Sequence, residues 1–439
     1  MLELRKTEEI MREGMPYLFE ATHYDFPVIA RGEGSRVWDV DGNSYFDLNA
    51  GQFCMTFGHN YEPFKKAVAA QMDRIWHTNT ATLTPEVFEA AKKMAAINDP
   101  RLCKTIFLST GAEANECALR YAKFITGRTG MIAISRGYHG LTLAAQAATF
   151  TGKWAKPQIK DAYSVTAPDF IHAETDLSEK EFIDACIEEL RALAEDRGSE
   201  LAAMLIEPII GAGGMVEMPA RYLRAAREIC DEHGILLIFD ECQSGFGRTG
   251  EWFAYQRIDV VPDIITTAKA MGMGFAVSAV TFRGDIAARV EGKVTSFASH
   301  QNDPISSAIV SFVIDEIERL GLLEKNRKKG EYLLKALQNV CDKSEYLINA
   351  RGVGLMCALD VNDRIIPDCR SFTNTFIRKL EDNGVLIQST RESKTFRLLP
   401  SFLMTEEEID ELETAFTRSI LAMCSFYLVY AKLYIVIGQ

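Results

Sequence analysis

GILLIFDECQSGFGRTG, residues 234–250, runs an unbroken apolar stretch straight into two acids and a glycine-rich turn. A strand-length run with no polar alternation has to be covered on both faces, which is the habit of parallel sheets flanked by helices. Working outward, the same pattern recurs in KTIFLS (104–109), MIAIS (131–135), AAMLIEP (202–208), DIITTAK (263–269) and VSAVTF (277–282), with helical patterns such as RYLRAAREICDEH (221–233) between them. Strands alternating with helices predict an α/β domain with a mainly parallel sheet, and a ligand at the carboxyl ends of its strands.

At those ends the chain changes character. Asp240 and Glu241 close one run and Lys269 closes another. A single strand-end acid is as often a helix cap, and a single lysine is usually solvated. An aspartate and a lysine on two neighbouring strand ends are what a pyridine-aldehyde cofactor requires: a carboxylate to keep the ring nitrogen protonated and an amine to form a Schiff base. STGAEANECALRYAK (109–123) turns through small residues into a helix whose free N–H groups suit a phosphate. Tyr138, in GYHG, follows the MIAIS strand and offers a ring to cover one face of a cofactor.

The flanks read differently. Residues 34–49 alternate apolar and polar around Asp41-Gly42-Asn43, the pattern of a hairpin. Past residue 310 come long helical patterns (306–320, 328–343), short strands around RGVGLMCALDV (351–361) and KTFRLLP (394–400), and a helix opening at Thr405, a smaller α+β region. The expected organisation is an N-terminal segment with the hairpin (1–58) belonging to the small domain, a large domain (59–310), a C-terminal small domain (311–419) and an apolar tail (420–439). That tail is about the length of a bilayer span. Nothing else in the chain resembles a membrane segment, so it reads as buried helix and strand, or as foreign to the domain, ahead of an anchor.

Composition narrows the partners. With 61 acidic against 48 basic residues the net charge is −13, which gives nucleic acid no general attraction. Ten cysteines lie scattered, neither paired as CxxC nor clustered with histidine. They predict reduced thiols, no metal site and a cytoplasmic compartment. The charged N-terminus lacks the apolar core of a secretory signal. Gly211-Ala212-Gly213-Gly214 follows an apolar run, but its spacing is wrong for a dinucleotide loop and no helix opens after it.

Taken together, DECQSGFGRTG, the lysine of TTAKAMG, and TGAEAN, GYHG and IEPI in that order upstream resemble the class III aminotransferases over residues 34–419. The resemblance implies fold type I of the pyridoxal-phosphate enzymes, with Lys269 carrying the cofactor and moving the substrate proton. Asp240 would pair with the pyridine nitrogen, Gln243 with the phenolic oxygen, and Tyr138 with the ring face. Gly111 and Ala112 would hold the phosphate by backbone N–H groups, joined by Ser299 of a neighbouring subunit, where the family usually has threonine. Arg397 would grip the substrate carboxylate. At least a homodimer, with a dimer of dimers as the larger option, is implied, together with an amino acid and a 2-keto acid such as pyruvate or 2-oxoglutarate as substrates.

Within the family the likeness runs furthest toward dialkylglycine decarboxylase, through AGQF (50–53) and SHQNDP (299–304). There the residue matching Gln52 holds the departing carboxylate above the ring plane. Tyr138 replaces a tryptophan of that decarboxylase and Ala212 a serine, and both changes favour transamination over decarboxylation-dependent transamination. Racemase and aminomutase chemistry would use the same catalytic set. A non-catalytic scaffold would be expected to have lost Lys269 or Asp240, and both are present.

Overall fold

The computed structural model describes residues 7–437 except 23, 25, 26 and 152–159, with the backbone alone from 424 onward. The chain forms two compact units, Met1–Glu62 with Glu331–Ala350 and Cys357–Gln439, and Pro63–Gly330 with Arg351–Met356.

The larger unit is built on a seven-stranded sheet in the order Leu102–Leu108, Ser278–Arg283, Ile264–Thr267, Leu236–Asp240, Leu201–Ile206, Gly130–Ile134, Ala162–Val165. The strands Gly130–Ile134, Leu201–Ile206, Leu236–Asp240 and Ile264–Thr267 are buried along their whole length, as expected of mainly apolar strands covered on both faces. Six strands share one direction. Ser278–Arg283 runs against both its neighbours, pairing Thr266 with Val280 on one side and Ile106 with Val280 on the other. A strand covered on both faces carries no mark of its direction, so VSAVTF reads like the rest.

Helices cover the sheet. Gly111–Thr126 buries Ala114, Cys117, Ala118, Leu119, Tyr121 and Ala122 and ends on Gly127, whose left-handed φ of 70° lets its N–H close on Lys123 O. Pro304–Leu320 packs on Pro85–Ile97 and on the turn Lys269–Gly272. Its apolar side, including Ile309, Val313 and Ile317, is buried in these contacts. The compact unit therefore continues to residue 330, past the break in pattern at 310.

In the smaller unit, Arg36–Asp39 and Ser44–Asp47 form the hairpin, with Ile29–Glu33 on one side and Val385–Leu386, parallel, on the other. A second sheet runs in the order Leu347–Val353, Met356–Val361, Thr395–Leu398, Gln388–Thr390. The C-terminal helix is continuous over Glu406–Ile437, and its Ile420 and Met423 are buried. The side chains of the expected apolar tail beyond Met423 lie outside the described residues. Among the described residues no helix is long and apolar enough to cross a membrane.

Candidate active site

Five parallel strands end on one edge of the large sheet, delivering Ser109, Ser135, Glu207, Asp240 and Ala268 to it. Asp240 lies in register with Thr266, just ahead of Lys269 on the neighbouring strand. Its carboxylate is almost fully buried and accepts three hydrogen bonds, which leaves Oδ1 capacity for one more. Oδ2 accepts from His139 Nδ1 at 2.9 Å and from Asn115 Nδ2 at 2.7 Å, and Oδ1 accepts the Cys242 N–H at 3.0 Å. A carboxylate can only accept here, so the His139 proton sits on Nδ1. Asn115 is fixed in turn, because its Oδ1 accepts from Thr266 Oγ1 at 2.6 Å and its Nδ2 also reaches His139 O at 2.8 Å. Burial opposes ionisation of Asp240, yet the His139 contact, the Cys242 side chain and the nearby Lys269 charge hold its carboxyl below the usual value.

Lys269 opens a short turn, half-buried, with φ 48°. Left-handed backbone at a non-glycine residue costs about 1–2 kcal/mol and persists where its surroundings enforce it. Here the residue is held between the buried Ala268 and the buried Ala270-Met271.

The helix beginning at Gly111 has a reciprocal cap: Thr110 Oγ1 accepts the Glu113 N–H, and Glu113 Oε2 accepts the Ser109 N–H. The amides of Gly111 and Ala112 precede the first intrahelical bond and face outward from the helix end. A Cβ on Gly140, whose φ is +117°, would lie 2.4 Å from Ala112 Cβ, so only glycine lets the GYHG loop close over this turn. Tyr138, half-buried in that loop, donates its N–H to Glu207 Oε1 at 2.9 Å, and Glu207 Oε2 accepts the Gly211 N–H at 3.0 Å. A Cβ on Gly211 would meet the Gln243 amide oxygen at 2.2 Å. That oxygen is buried and, among the described residues, makes no hydrogen bond. Ser299 lies exposed on the loop before Pro304. At the end of that loop Asp303 bonds both His77 and His300 at 2.6 Å.

Thus Asp240, Lys269, Gln243, Tyr138, Gly111 and Ala112 all lie on or beside one sheet edge, with Ser299 on a separate exposed loop. This edge fits a phosphorylated pyridine: an ionised, buried acid, an amine, free helix-end N–H groups and an amide oxygen with unspent bonding capacity. Asn115, His139 and Glu207 had not been singled out by sequence reasoning, although they stand inside TGAEAN, GYHG and IEPI.

Glu241, beside Asp240, has a different task. Ser244 Oγ donates to it, as do the N–H groups of Ala254 (3.0 Å) and Tyr255 (2.8 Å), so it anchors the following loop. Burial pushes its carboxyl from 4.5 up to about 7. The folded state then holds this proton more tightly than the unfolded chain, so the stability it contributes falls as pH rises from about 4.5 to about 7 and is flat above. Glu241→Gln is expected to remove that slope in denaturant unfolding followed across the interval; an unchanged slope would place its origin elsewhere.

In the smaller unit, Ala50, Gly51, Gln52 and Phe53 have φ of 41°, 54°, 63° and 71°, a complete left-handed turn. Asp47 braces it, Oδ2 accepting the Gly51 N–H at 2.9 Å and Oδ1 the Asn49 N–H at 3.0 Å. Gln52 is exposed on this turn, and the Arg397 guanidinium lies 5.0 Å over the Phe53 ring.

The family model described as Aminotransferase class-III matches residues 19–420. An uncharacterised aminotransferase of Schizosaccharomyces pombe is 30% identical over 406 residues, 90% of each chain. The acetylornithine aminotransferase of Methanopyrus kandleri is 34% identical over 343 residues, 78% of this chain and 83% of the relative. Among solved structures, a PLP-bound amine transaminase from an uncultivated Pseudomonas species superimposes with a TM-score of 0.86 at 27% identity, over 93% of this chain and 99% of that one. The match spans both units and the whole sheet edge just described, and the chain accordingly belongs to the class III aminotransferases, the pyridoxal-phosphate-dependent enzymes that move amino groups.

Proposed function

We propose that the enzyme transfers the amino group of an amino acid to a 2-keto acid, pyruvate or 2-oxoglutarate, with Lys269 and Asp240 as its central pair. The observation that carries this reading is the buried Asp240, held ionised by His139 and fixed in place by Asn115, one strand away from Lys269. When bound, pyridoxal phosphate supplies the carbonyl that captures the amine and a ring that accepts the electron pair left at Cα. Asp240 keeps the proton on the ring nitrogen, and His139 and Asn115 keep Asp240 in place. Lys269 Nζ takes the proton from the substrate Cα and returns it to the neighbouring carbon on the far side of the nitrogen. Gly111 and Ala112 donate N–H groups to the phosphate at the positive end of their helix, and Ser299 of a second copy adds a hydroxyl. Tyr138 covers the ring and Gln243 bonds the phenolic oxygen. Arg397 binds the substrate carboxylate through paired charge-assisted bonds, with Gln52 beside it. This arrangement makes the working form a homodimer, and the scattered free thiols fit a cytoplasmic setting.

A second reading, loss of carbon dioxide before amino transfer, is favoured by one observation, the presentation of Gln52 on a braced left-handed turn. The two reactions separate in one spectroscopic experiment. Alanine is expected to bleach the visible band of the holoenzyme without gas release. Bleaching by 2-aminoisobutyrate, which has no Cα proton, with release of carbon dioxide would establish the decarboxylase instead. Acetylornithine belongs in the same series because several relatives are acetylornithine aminotransferases. Arg397→Ala is expected to raise KM for any amino acid by about fiftyfold, the worth of roughly 2–3 kcal/mol of charge-assisted bonding. An unchanged KM would remove Arg397 from the site.

A further inference from the structure

The smaller unit places a third polar side chain with Gln52 and Arg397. Gln388 and Arg397 are directly opposed across the antiparallel pair Gln388–Thr390 and Thr395–Leu398. Directly opposed residues project from the same face of a sheet. The segment carrying Gln52 is tied to the chain beside each of these strands. Leu48 donates its N–H to Leu386 O at 3.1 Å and accepts the Leu399 N–H at 2.9 Å, while Thr56 O accepts the Phe402 N–H at 2.8 Å. The left-handed turn of residues 50–53 is thereby held by two ties, one to Leu386 just ahead of the strand that bears Gln388 and one to residues 399–402 just past the strand that bears Arg397. Within it Phe53 is buried beneath the Arg397 guanidinium, and Gln52 points out. Gln388 Nε2 reaches Gln52 Oε1 at 3.4 Å.

That contact bears on which end of the Gln52 amide meets a ligand. A free primary amide turns over readily, and its oxygen repels a carboxylate while its N–H₂ attracts one. A donor on the oxygen side, as Gln388 Nε2 is here, favours the orientation that leaves the N–H₂ group outward. We propose that Gln388 is a positioning residue: it donates to Oε1 of Gln52 and so turns the Gln52 N–H₂ group toward the substrate carboxylate held by Arg397. The site then recognises a carboxylate by a guanidinium and one oriented amide, and Gln388 acts only through Gln52. This rests on the assignment of Arg397 and Gln52 to the substrate carboxylate made above.

The test uses the holoenzyme and two reagents that present the same aminooxy nitrogen, aminooxyacetate, which carries a carboxylate, and O-methylhydroxylamine, which does not. The rate at which each discharges the visible band is measured for the wild type, Gln388→Leu, Gln52→Ala, the double variant and Arg397→Ala. Gln388→Leu is expected to slow aminooxyacetate about tenfold, the scale of one hydrogen bond to a charged group, and to leave O-methylhydroxylamine within about twofold. In the Gln52→Ala background the same substitution is expected to change nothing, since the group it orients is gone. The inference is overturned if Gln388→Leu slows both reagents alike, which is a structural effect, or if its effect persists without Gln52. It is also overturned if Arg397→Ala lowers the preference for aminooxyacetate and Gln388→Leu does not. Loss of no preference in Arg397→Ala itself would instead overturn the carboxylate assignment on which the inference stands.

Discussion

Lys269→Ala is expected to abolish the visible absorbance that the wild type acquires with pyridoxal phosphate and to lower turnover more than about a thousandfold. Two losses add. A positioned proton-transfer group contributes about 10²–10⁴-fold by itself, and in the proposed reaction the same amine would also be the covalent anchor for the cofactor. Because the residue is half-buried with left-handed φ, alanine keeps the strained backbone while removing the group that makes the strain useful. The fold should survive, since the neighbouring Ala268, Ala270 and Met271 supply the packing. Absorbance and stopped-flow half-reactions check this directly. An unaltered band in Lys269→Ala would move the attachment point to another lysine. Partial recovery of turnover with added small primary amines is the expected companion result, because they can carry the proton but not the anchor.

The fold was legible where burial alone dictated it. Runs such as ILLIF and AAMLI admit few homes other than the middle of a covered sheet, and Asp240 and Lys269, which end two such runs, stand out because a charged residue follows the apolar stretch there. Direction was not legible, since VSAVTF is as apolar as its neighbours and nothing in it records that it runs the other way. Nor was the attachment of Pro304–Leu320 to the larger unit, because a helical period shows that a face is apolar but not what covers it. Asn115 and His139 were hidden for a related reason. Their significance is that one carboxylate oxygen accepts from both, and that convergence brings a helix residue and a loop residue onto the end of a third element, the strand Leu236–Asp240. The partnership of Gln388 with Arg397 depends on strand register, which a short, half-buried edge strand specifies weakly.

Asp240→Asn separates the charge at this site from its shape. The wild-type carboxylate faces donors from His139, Asn115 and the Cys242 N–H, and an asparagine of the same outline must turn one N–H₂ group toward at least one of them. It also leaves the ring nitrogen without a formal negative charge to hold its proton. The expected result is a cofactor that still binds, more weakly, and turnover reduced by about 10²–10³-fold, the usual worth of one preorganised electrostatic contact in a buried site. His139→Phe and Asn115→Ala, which leave the charge but loosen it, should each lose less. Asp240 has its folded pKa lowered, so its stabilising contribution is present above the ordinary carboxyl value and is lost only as pH falls through the lower folded value. Unfolding of wild type and Asp240→Asn should consequently differ most near neutrality and converge in acid. Turnover within tenfold of wild type would show that the ring nitrogen does not depend on Asp240, whereas a large loss with retained cofactor is the outcome that a charge poised against that nitrogen requires.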